Sequence, residues 1–399
     1  MKRLIEISLL IFFCFFLFVP TDIFGVPFLK SYMLFFVLCG LFFLPLIKIY
    51  KLLPFEASWL LLMLYLPITI LYCDDYASAT KAIIGEAALV FFYFVFRFFL
   101  VEIGQRKFNI IICRLGKWFY IVSVAFFLLG TYFYYVKGVD YMPLFYTDQT
   151  NRVLGGIFSK WTNMPRLTGL SMGSYSFNWI SSFFILVFLQ NKLYKWAAFG
   201  LLCSLMTLSM TFVVLLIFVL AYIIFKKGKV VQALFAVFTF LGIGLYYFYT
   251  NPWFNNVIQS RLENAKTGTG RFEIWKYVLE KAWEKPFFGH GINQLKGYLE
   301  GYHDETIRSA HNTFFEIFFN GGLFGLILYL TFLATFFAAC YNLDKRVKGY
   351  YFKGFFLCYL VFVSANTGIY IFDPLIFMSF IFLYHKHFQK SGYIAANRD

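Results

Sequence analysis

Residues 268–325 read GTGRFEIWKYVLEKAWEKPFFGHGINQLKGYLEGYHDETIRSAHNTFFEIFFNGGLFG. They form the one long interval in which polar residues, charges, glycines and most of the histidines gather, and the sequence around them is strongly apolar. This contrast predicts a membrane scaffold in which one polar segment late in the chain carries the function.

The composition indicates the class of protein. Of 399 residues, 61% are hydrophobic, 24% are aromatic and only 14% are charged, whereas a soluble globular protein is about half apolar and about a quarter charged. The apolar runs are continuous over about 20 residues, the length of a transmembrane helix, and lack the alternation of barrel strands. The sequence therefore predicts an all-α polytopic membrane protein, folded as a single membrane domain over residues 1–399.

The apolar runs, punctuated by basic residues, predict about 12 transmembrane helices. They cover residues 4–20, 27–47, 54–73, 82–103, 115–136, 169–190, two helices within 196–225, then 230–249, 313–341, 354–371 and 374–388. The run from 196 to 225 is too long for one span and divides near 207–211. Two polar loops result: a smaller one over 137–167, and a large, partly helical one over 251–311 between the ninth and tenth helices.

Positive charges predict the orientation. With the N-terminus in the cytoplasm, twenty of the 35 lysines and arginines fall on the cytoplasmic side and the short outer loops carry few, as the positive-inside rule requires. Both termini are then cytoplasmic, and both polar loops face the periplasm. If 196–225 were one tilted helix, the large loop would face the cytoplasm, which the same rule disfavours. The net charge of +15 follows from this asymmetry, so it gives no reason to expect a nucleic-acid partner.

The large loop contains an amphipathic helix from Arg271 to Trp283, because its apolar residues recur at steps of three and four. These residues are Phe272, Trp275, Val278, Leu279, Ala282 and Trp283. Trp275 and Trp283 suit the membrane interface. Arg271 follows a Gly-Thr-Gly sequence at the helix N-terminus, where free N–H groups favour an anion and a guanidinium can bind phosphate through two hydrogen bonds. An ion pair with a nearby glutamate explains Arg271 equally well.

Other polar positions at the membrane surface are candidates for binding or catalysis. His311, followed by Asn312, stands where the large loop re-enters the membrane; a neutral histidine there can accept a proton, although a structural role is more common. Arg166 stands at the re-entry of the smaller loop, where it can reach a phosphate or extend toward water. Gly289 and Gly291 mark a tight turn, either a simple turn or a close approach of backbone to substrate.

Small residues elsewhere predict packing. Gly321, Gly322 and Gly325, near the start of the tenth helix, favour close contact with a neighbouring helix. Seven cysteines are scattered through or beside apolar segments, without the spacing of a metal site or a disulfide framework. Neither feature adds a catalytic group.

At these residues the chain resembles the O-antigen ligase and polymerase family, membrane glycosyltransferases that use undecaprenyl-pyrophosphate-linked glycans. The resemblance rests on Gly270-Arg271, Trp275, Pro286, Gly289, Gly291, His311-Asn312, Gly321 or Gly322, and Gly325, with a weaker match at Arg166-Leu167-Thr168-Gly169. The order and spacing of these residues are fairly specific, whereas the other helices agree only in number and hydropathy.

The resemblance implies an inverting sugar transfer on the periplasmic face of the bacterial inner membrane, without a nucleotide sugar, a metal or another cofactor. Arg271 and Arg166 would hold the donor pyrophosphate, His311 would orient or deprotonate the acceptor hydroxyl, and Asn312 would support it. The expected substrate-binding residues are Arg166, Arg261, Arg308, Asn312, Trp275, Gly289 and Gly291. The implied partners are a lipid-linked glycan donor, an acceptor, membrane lipids and a chain-length regulator.

One position departs from the family pattern. Family members often carry an arginine, in a Ser-Arg pair, at the outer break between the seventh and eighth helices. This chain reads Leu208-Ser209-Met210-Thr211 there. Arg261 or Arg308 is the candidate replacement.

The leading function is that of a polysaccharide (O-antigen) polymerase, which moves a growing chain onto the next lipid-linked repeat unit. The alternative is an O-antigen ligase, which passes the finished glycan to lipid A-core. A lipid-linked oligosaccharide flippase predicts charges at the membrane midplane, and these are nearly absent here. A purely structural membrane partner would not need the arginines and the histidine at these positions.

Overall fold

The computed structural model describes residues 2–18, 40–43, 50–138, 152–153, 156–159, 164–168, 174–207, 209, 242, 246, 249–250, 255, 259, 271–300, 310–347, 351–365, 375–376 and 378–386. The principal helices are α1 (Lys2–Phe18), α2 (Pro54–Ile68), α3 (Tyr76–Ile103), α4 (Gln105–Lys137), α5 (Ser174–Gln190), α6 (Tyr194–Leu205), α7 (Arg271–Ala282), α8 (Leu295–Glu300), α9 (Thr313–Val347) and α10 (Tyr351–Ala365). Three short strands, β1 (Arg152–Val153), β2 (Gly156–Ser159) and β3 (Met164–Leu167), lie between α4 and α5.

Four helical segments of the described chain are long and apolar enough to cross a membrane. They are Pro54–Tyr72, which is α2 with the 3-10 turn that follows it, and α3, α4 and α9. Two shorter apolar helices cover 177–190 and 351–364. The predicted helical membrane class is thereby confirmed. The number of spans stays a prediction, because the helices expected at 27–47 and 230–249, and the second one within 196–225, lie largely outside the described residues.

Helices α3 and α4 begin earlier than hydropathy predicts. α3 begins at Tyr76 rather than at residue 82, because the Asp75 side chain caps it by accepting hydrogen bonds from two backbone N–H groups of the first turn. α4 begins at Gln105 rather than at residue 115, and only Gly104, with a φ of 83°, separates it from α3. Hydropathy places both starts too late, because the polar and basic residues that precede each apolar run are also helical.

A three-stranded antiparallel sheet occupies part of the smaller loop, which the sequence predicts only as polar. Within it Arg166 of β3 pairs with Ile157 of β2. Leu167 N donates a hydrogen bond to Met206 O at 3.1 Å, which joins the sheet to the end of α6. That helix ends at Leu205, close to the break predicted at 207–211.

α2 and α9 pack antiparallel and make the most extensive helix–helix contact of the described chain. Tyr65 Oη donates to Gly321 O at 2.7 Å, and nearer the N-terminus of α2, Ser58 Oγ lies 2.8 Å from Thr335 Oγ1. A Cβ on Gly321 or Gly325 would lie 3.2 or 3.3 Å from the Tyr65 ring. The predicted close packing is confirmed for these two glycines.

The ends of α2 define two faces of the protein. With its 3-10 turn (Thr69–Tyr72), α2 extends over about 30 Å, the thickness of a bilayer hydrocarbon core. At its C-terminal end, the Cys73 thiol contacts Ile292 O at 3.7 Å, in the segment after α7. We call this end the site face and the end at Pro54 the far face.

Candidate active site

α7 is amphipathic, as predicted, but its buried face differs from the predicted one. Ile274, Val278 and Ala282 are buried and pack against α8 and the first turns of α9. Phe272 and Trp283, both in the predicted apolar set, are 57% and 62% exposed. The buried stripe runs at steps of four residues, and these two aromatic residues lie off it.

Trp275 connects α7 to the chain that enters α9. Its indole Nε1 donates a hydrogen bond to Ala310 O at 2.8 Å, and its ring meets the Phe315 ring edge-on at 5.5 Å. Ala310 directly precedes His311. Trp275 therefore holds the backbone next to the candidate base, and its predicted contact with substrate stays a prediction.

His311 and Arg271 are brought together. His311 is half-buried at the entry to α9, with a φ of 51°; backbone conformations of this kind are uncommon outside glycine and cluster at functional sites. Burial lowers the pKa of the His311 imidazole, and the positive charge of Arg271 lowers this pKa further. The neutral imidazole is therefore favoured at pH 7, and it can accept a proton.

Asn312 fixes the position of this histidine. Its side-chain Oδ1 accepts hydrogen bonds from the backbone N of Phe314 at 3.0 Å and of Phe315 at 3.3 Å, which caps α9. Its Nδ2 donates to Ser364 O at 3.1 Å, near the end of α10. Asn312 thus joins two helices directly beside His311, and its expected roles in supporting the base and binding substrate stay predictions.

Helix α9 is broken at Gly322, about three turns after His311. Gly322 has a φ of 61° and a ψ of −162°, which no helix allows. The break deprives the carbonyls of Phe319 and Asn320 of their helical partners. The backbone N–H groups of His290 and Gly291 replace them, donating to Phe319 O at 2.8 Å and to Asn320 O at 2.9 Å.

The second half of α9 is completed by the same turn. Leu323 N donates to Pro286 O at 2.7 Å, and Phe324 N donates to Phe287 O at 3.3 Å. The turn 286–291 therefore satisfies both sides of the break. The PFFGHG and NGGLFG sequences therefore form one hydrogen-bonded unit.

The glycines of this turn are required by close backbone contacts. At Gly289, whose φ is 74°, a Cβ would lie 2.5 Å from Asn320 C and O. At Gly291, whose φ is 98°, it would lie 2.3 Å from Cys73 Sγ. The predicted tight turn is confirmed. Its close approach is to the protein's own backbone and to one thiol, and the expected contact of both glycines with substrate stays a prediction.

His290 is a group that the sequence reasoning missed. Its Nε2 donates to Lys281 O at 2.7 Å, and its ring stacks on Phe319 at 4.5 Å. Its Nδ1 lies 3.1 Å from Tyr298 Oη, which donates to Asp74 Oδ2 at 3.0 Å. Burial lowers the pKa of His290. The position of His290 between two glycines was the available signal, but the partner at Asp74 is distant in the sequence.

Arg166 reaches the break at the end of α6. Its Nε donates a hydrogen bond to Thr207 O at 3.0 Å. This carbonyl adjoins 208–211, the segment that lacks the arginine of the family pattern. The guanidinium of a residue in the smaller loop therefore lies at this break. The predicted alternatives, Arg261 and Arg308, lie outside the described residues.

A set of contacts connects this break with the entry to α9. Asn178 Nδ2 donates to Thr207 Oγ1 at 2.8 Å, and the next residue, Trp179, stacks on Phe362 of α10 at 4.7 Å. Two residues further along α10 is Ser364, whose carbonyl binds the capping asparagine of α9. The arginine of the smaller loop and the histidine of the large one therefore lie on the same face of the bundle.

The chemistry available here is that of cations and one base. Within the described ranges, no group of three or more histidine, cysteine, aspartate or glutamate side chains is placed to hold a metal ion. Arg271 and Arg166 can each bind an oxyanion through two hydrogen bonds. His311 can take a proton from a hydroxyl group.

Residues 193–330 match the family model of O-antigen ligase (Wzy_C). The matched segment includes α6, α7, α8 and the first half of α9, and with them Arg271 and His311. The resemblance to the O-antigen ligase and polymerase family is thereby confirmed for this segment. Arg166 lies before it. No curated protein matches the chain.

Proposed function

We propose that this membrane protein is a glycosyltransferase that polymerises a cell-surface polysaccharide from undecaprenyl-pyrophosphate-linked repeat units. The family match supports a function of the O-antigen ligase or polymerase type. The observation that carries the proposal is geometric: α7 begins at Arg271, and Trp275 one turn later donates to Ala310 O at 2.8 Å, which places Arg271 near the half-buried His311 inside the matched segment. Sugar transfer from a diphosphate needs both a fixed cation and a base.

The reaction uses these groups in defined roles. The acceptor hydroxyl oxygen attacks the anomeric carbon of the donor glycan, and the bond from this carbon to the pyrophosphate oxygen breaks with inversion. His311 takes the hydroxyl proton. The bonding electrons leave with undecaprenyl pyrophosphate, whose added negative charge is stabilised by Arg271 and Arg166. Because its pKa is lowered, His311 is unprotonated at pH 7, as a base must be.

The other predicted residues complete the proposed site. Arg166, held at the α6 break, provides the cation that the sequence lacks at 208–211. Asn312 and Trp275 hold the backbone on either side of the base. The remaining candidate contacts with the glycan are Arg261, Arg308, Gly289 and Gly291.

We place the active site on the periplasmic face of the bacterial inner membrane, with both termini in the cytoplasm. α2 separates the site face from the far face by about the thickness of a bilayer core. Lys51 and Lys386 lie at the far face, and Lys107 follows the end of α3 there. Basic residues at that face support a cytoplasmic assignment. The loop 251–311 then carries the active site of a single membrane domain.

The alternative function is that of an O-antigen ligase, which would use the same groups and pass the glycan to lipid A-core. A flippase is less well supported, because His311 at the entry to α9 and Arg271 at the start of α7 lie on the site face rather than at the membrane midplane. The proposed partners are the lipid-linked donor, an acceptor lipid-linked repeat unit, membrane lipids and a chain-length regulator, and no nucleic acid.

A deletion strain tests the function. Lipopolysaccharide from a polymerase-deficient strain stops at core plus one repeat unit, whereas a ligase-deficient strain shows bare core and accumulates polymer on its lipid carrier. Complementation with His311→Ala or Arg271→Ala should reproduce the deletion pattern, although the protein remains in the membrane. Lys276→Ala is the matched control, because its side chain lies on the same helix and is 79% exposed. Full-length glycan from the double variant of Arg271 and His311 would exclude the mechanism.

A reconstituted reaction tests the chemistry. Purified protein and a lipid-linked repeat unit should yield polymer and free undecaprenyl pyrophosphate in the presence of EDTA. Loss of turnover in EDTA, with recovery on adding a divalent cation, would contradict the assignment of the leaving-group charge to the arginines.

A further inference from the structure

A cavity of about 530 Å³ opens at the far face, at the opposite end of α2 from the candidate active site. Its walls come from the segment before α2, from the first turn of that helix at Pro54, and from the helical segment 378–386. About 30 Å of helix separates it from Cys73 on the site face. The cavity therefore belongs to a different membrane surface from the groups at Arg271 and His311.

The polar groups of this cavity are basic. Lys51, His385 and Lys386 line it, and the rest of the wall is formed by aliphatic residues, Tyr50 and Phe382. The Lys386 Nζ lies 3.1 Å above the centre of the Tyr50 ring, which places the ammonium at the cavity wall. Two ammonium groups beside an apolar wall suit a ligand that is anionic at one end and apolar at the other.

A buried guanidinium stands directly behind the wall. Arg97 is 1% exposed, donates to Tyr50 O at 3.2 Å and to Lys51 O at 2.7 Å, and lies 3.7 Å from the centre of the Phe382 ring. Three lining residues thus contact one cation. Its Nε finds no acceptor among the described residues.

Two carboxylates lie among the described residues near these basic groups. Glu56 lies 3.2 Å from Arg97 and balances it. Burial and the negative charge of Glu102 raise the pKa of Tyr50, so this carboxylate lies near the residue that also contacts Lys386.

We propose that the far-face cavity binds the phosphate diester of an anionic phospholipid headgroup, with Lys51 and Lys386 at the phosphate and the glycerol and acyl chains along the apolar wall. A free phosphate ion shares the anionic chemistry but leaves the apolar wall uncovered. The inference does not depend on the proposed glycosyltransferase activity.

The test is a titration of the purified full-length protein in detergent with short-chain phosphatidylglycerol, followed by isothermal calorimetry. Each lysine near an anionic headgroup strengthens binding by about fivefold. Lys51→Gln and Lys386→Gln should each weaken binding by about fivefold, and the double variant should weaken it by about 30-fold. Wild-type protein should bind phosphatidylglycerol more tightly than zwitterionic phosphatidylcholine of the same chain length.

The matched control is the double variant of Lys192→Gln and Lys195→Gln. Both lysines are exposed, Lys192 in the connection between α5 and α6 and Lys195 in the first turn of α6, and the variant removes the same charge while leaving the cavity intact. It should bind as the wild type does. Equal affinities in the cavity and control variants, or no preference over phosphatidylcholine, would overturn the proposal. Inorganic phosphate that binds as tightly as the lipid would overturn the lipid headgroup as the source of the anion.

Discussion

Gly322→Ala tests the fit between the turn 286–291 and the broken helix α9. Gly322 has a φ of 61° and a ψ of −162°, a conformation that glycine alone adopts easily. A Cβ there would lie 2.2 Å from Phe287 O and 2.6 Å from Phe288 N. Because both atoms belong to backbone, the turn has to move away from the helix.

The expected loss of stability follows from these contacts. Holding an alanine in this backbone region costs about 1–3 kcal/mol. Displacing the turn breaks the hydrogen bonds that Leu323 N and Phe324 N donate at 2.7 and 3.3 Å, each worth about 1 kcal/mol. A total of about 4 kcal/mol, with an unfolding entropy of ~2.1 cal/mol/K per residue, lowers the melting temperature of a 399-residue chain by about 5 °C.

Thermal unfolding of the purified variant in detergent, followed by intrinsic fluorescence, measures this shift. Gly297→Ala in α8 is the control, because a Cβ there meets nothing within 4 Å and its φ is not positive. Alanine in a helix should leave stability unchanged or raise it by up to ~1 kcal/mol. If Gly322→Ala and Gly297→Ala melt at the same temperature, the reasoning is refuted.

Three further substitutions test the site and the scaffold. Arg271→Gln should raise the pKa of His311, which the Arg271 charge lowers in addition to burial, so that the neutral imidazole is lost at a higher pH during acidification. Modification of His311 by diethyl pyrocarbonate over roughly pH 5–8 measures this, with Arg271→Lys as the charge-retaining control; an unchanged profile argues against the coupling. Trp275→Phe keeps an aromatic ring but loses the indole hydrogen bond, and should cost about 1 kcal/mol and reduce glycan output; wild-type melting and output would contradict the anchoring role. Glu56→Gln leaves Arg97, 1% exposed, without its carboxylate, and should destabilise by about 3–5 kcal/mol, most of which Arg97→Met should restore in the double variant. A double variant that melts no higher than the single one speaks against a buried ion pair.

Much of the fold was accessible from local patterns. Continuous apolar runs predicted the helical membrane class, and the end of α6 lies near the break expected at 207–211. The period of the apolar residues predicted α7, which begins at Arg271. The buried stripe was only partly correct, because Ile274 was omitted and the exposed Phe272 and Trp283 were included.

The candidate site was accessible only as a set of residues. Arg271 and His311 were named from their positions at a helix start and at a membrane re-entry, but their coupling depends on the packing of α7 against α9. The contact of Arg166 with Thr207 depends on a sheet that joins the smaller loop to α6. Neither relation has a signature in sequence spacing.

Hydropathy and charge belong to each segment separately, so the chain alone determined that this is a membrane protein and where its long polar segment lies. Tertiary structure decided that the turn 286–291 completes the helix broken at Gly322. It also decided that the Arg166 guanidinium lies at Thr207 O, next to the segment 208–211 that has no basic residue. Both outcomes join groups that are distant in the chain, and they depend on backbone geometry that only the packed helices impose.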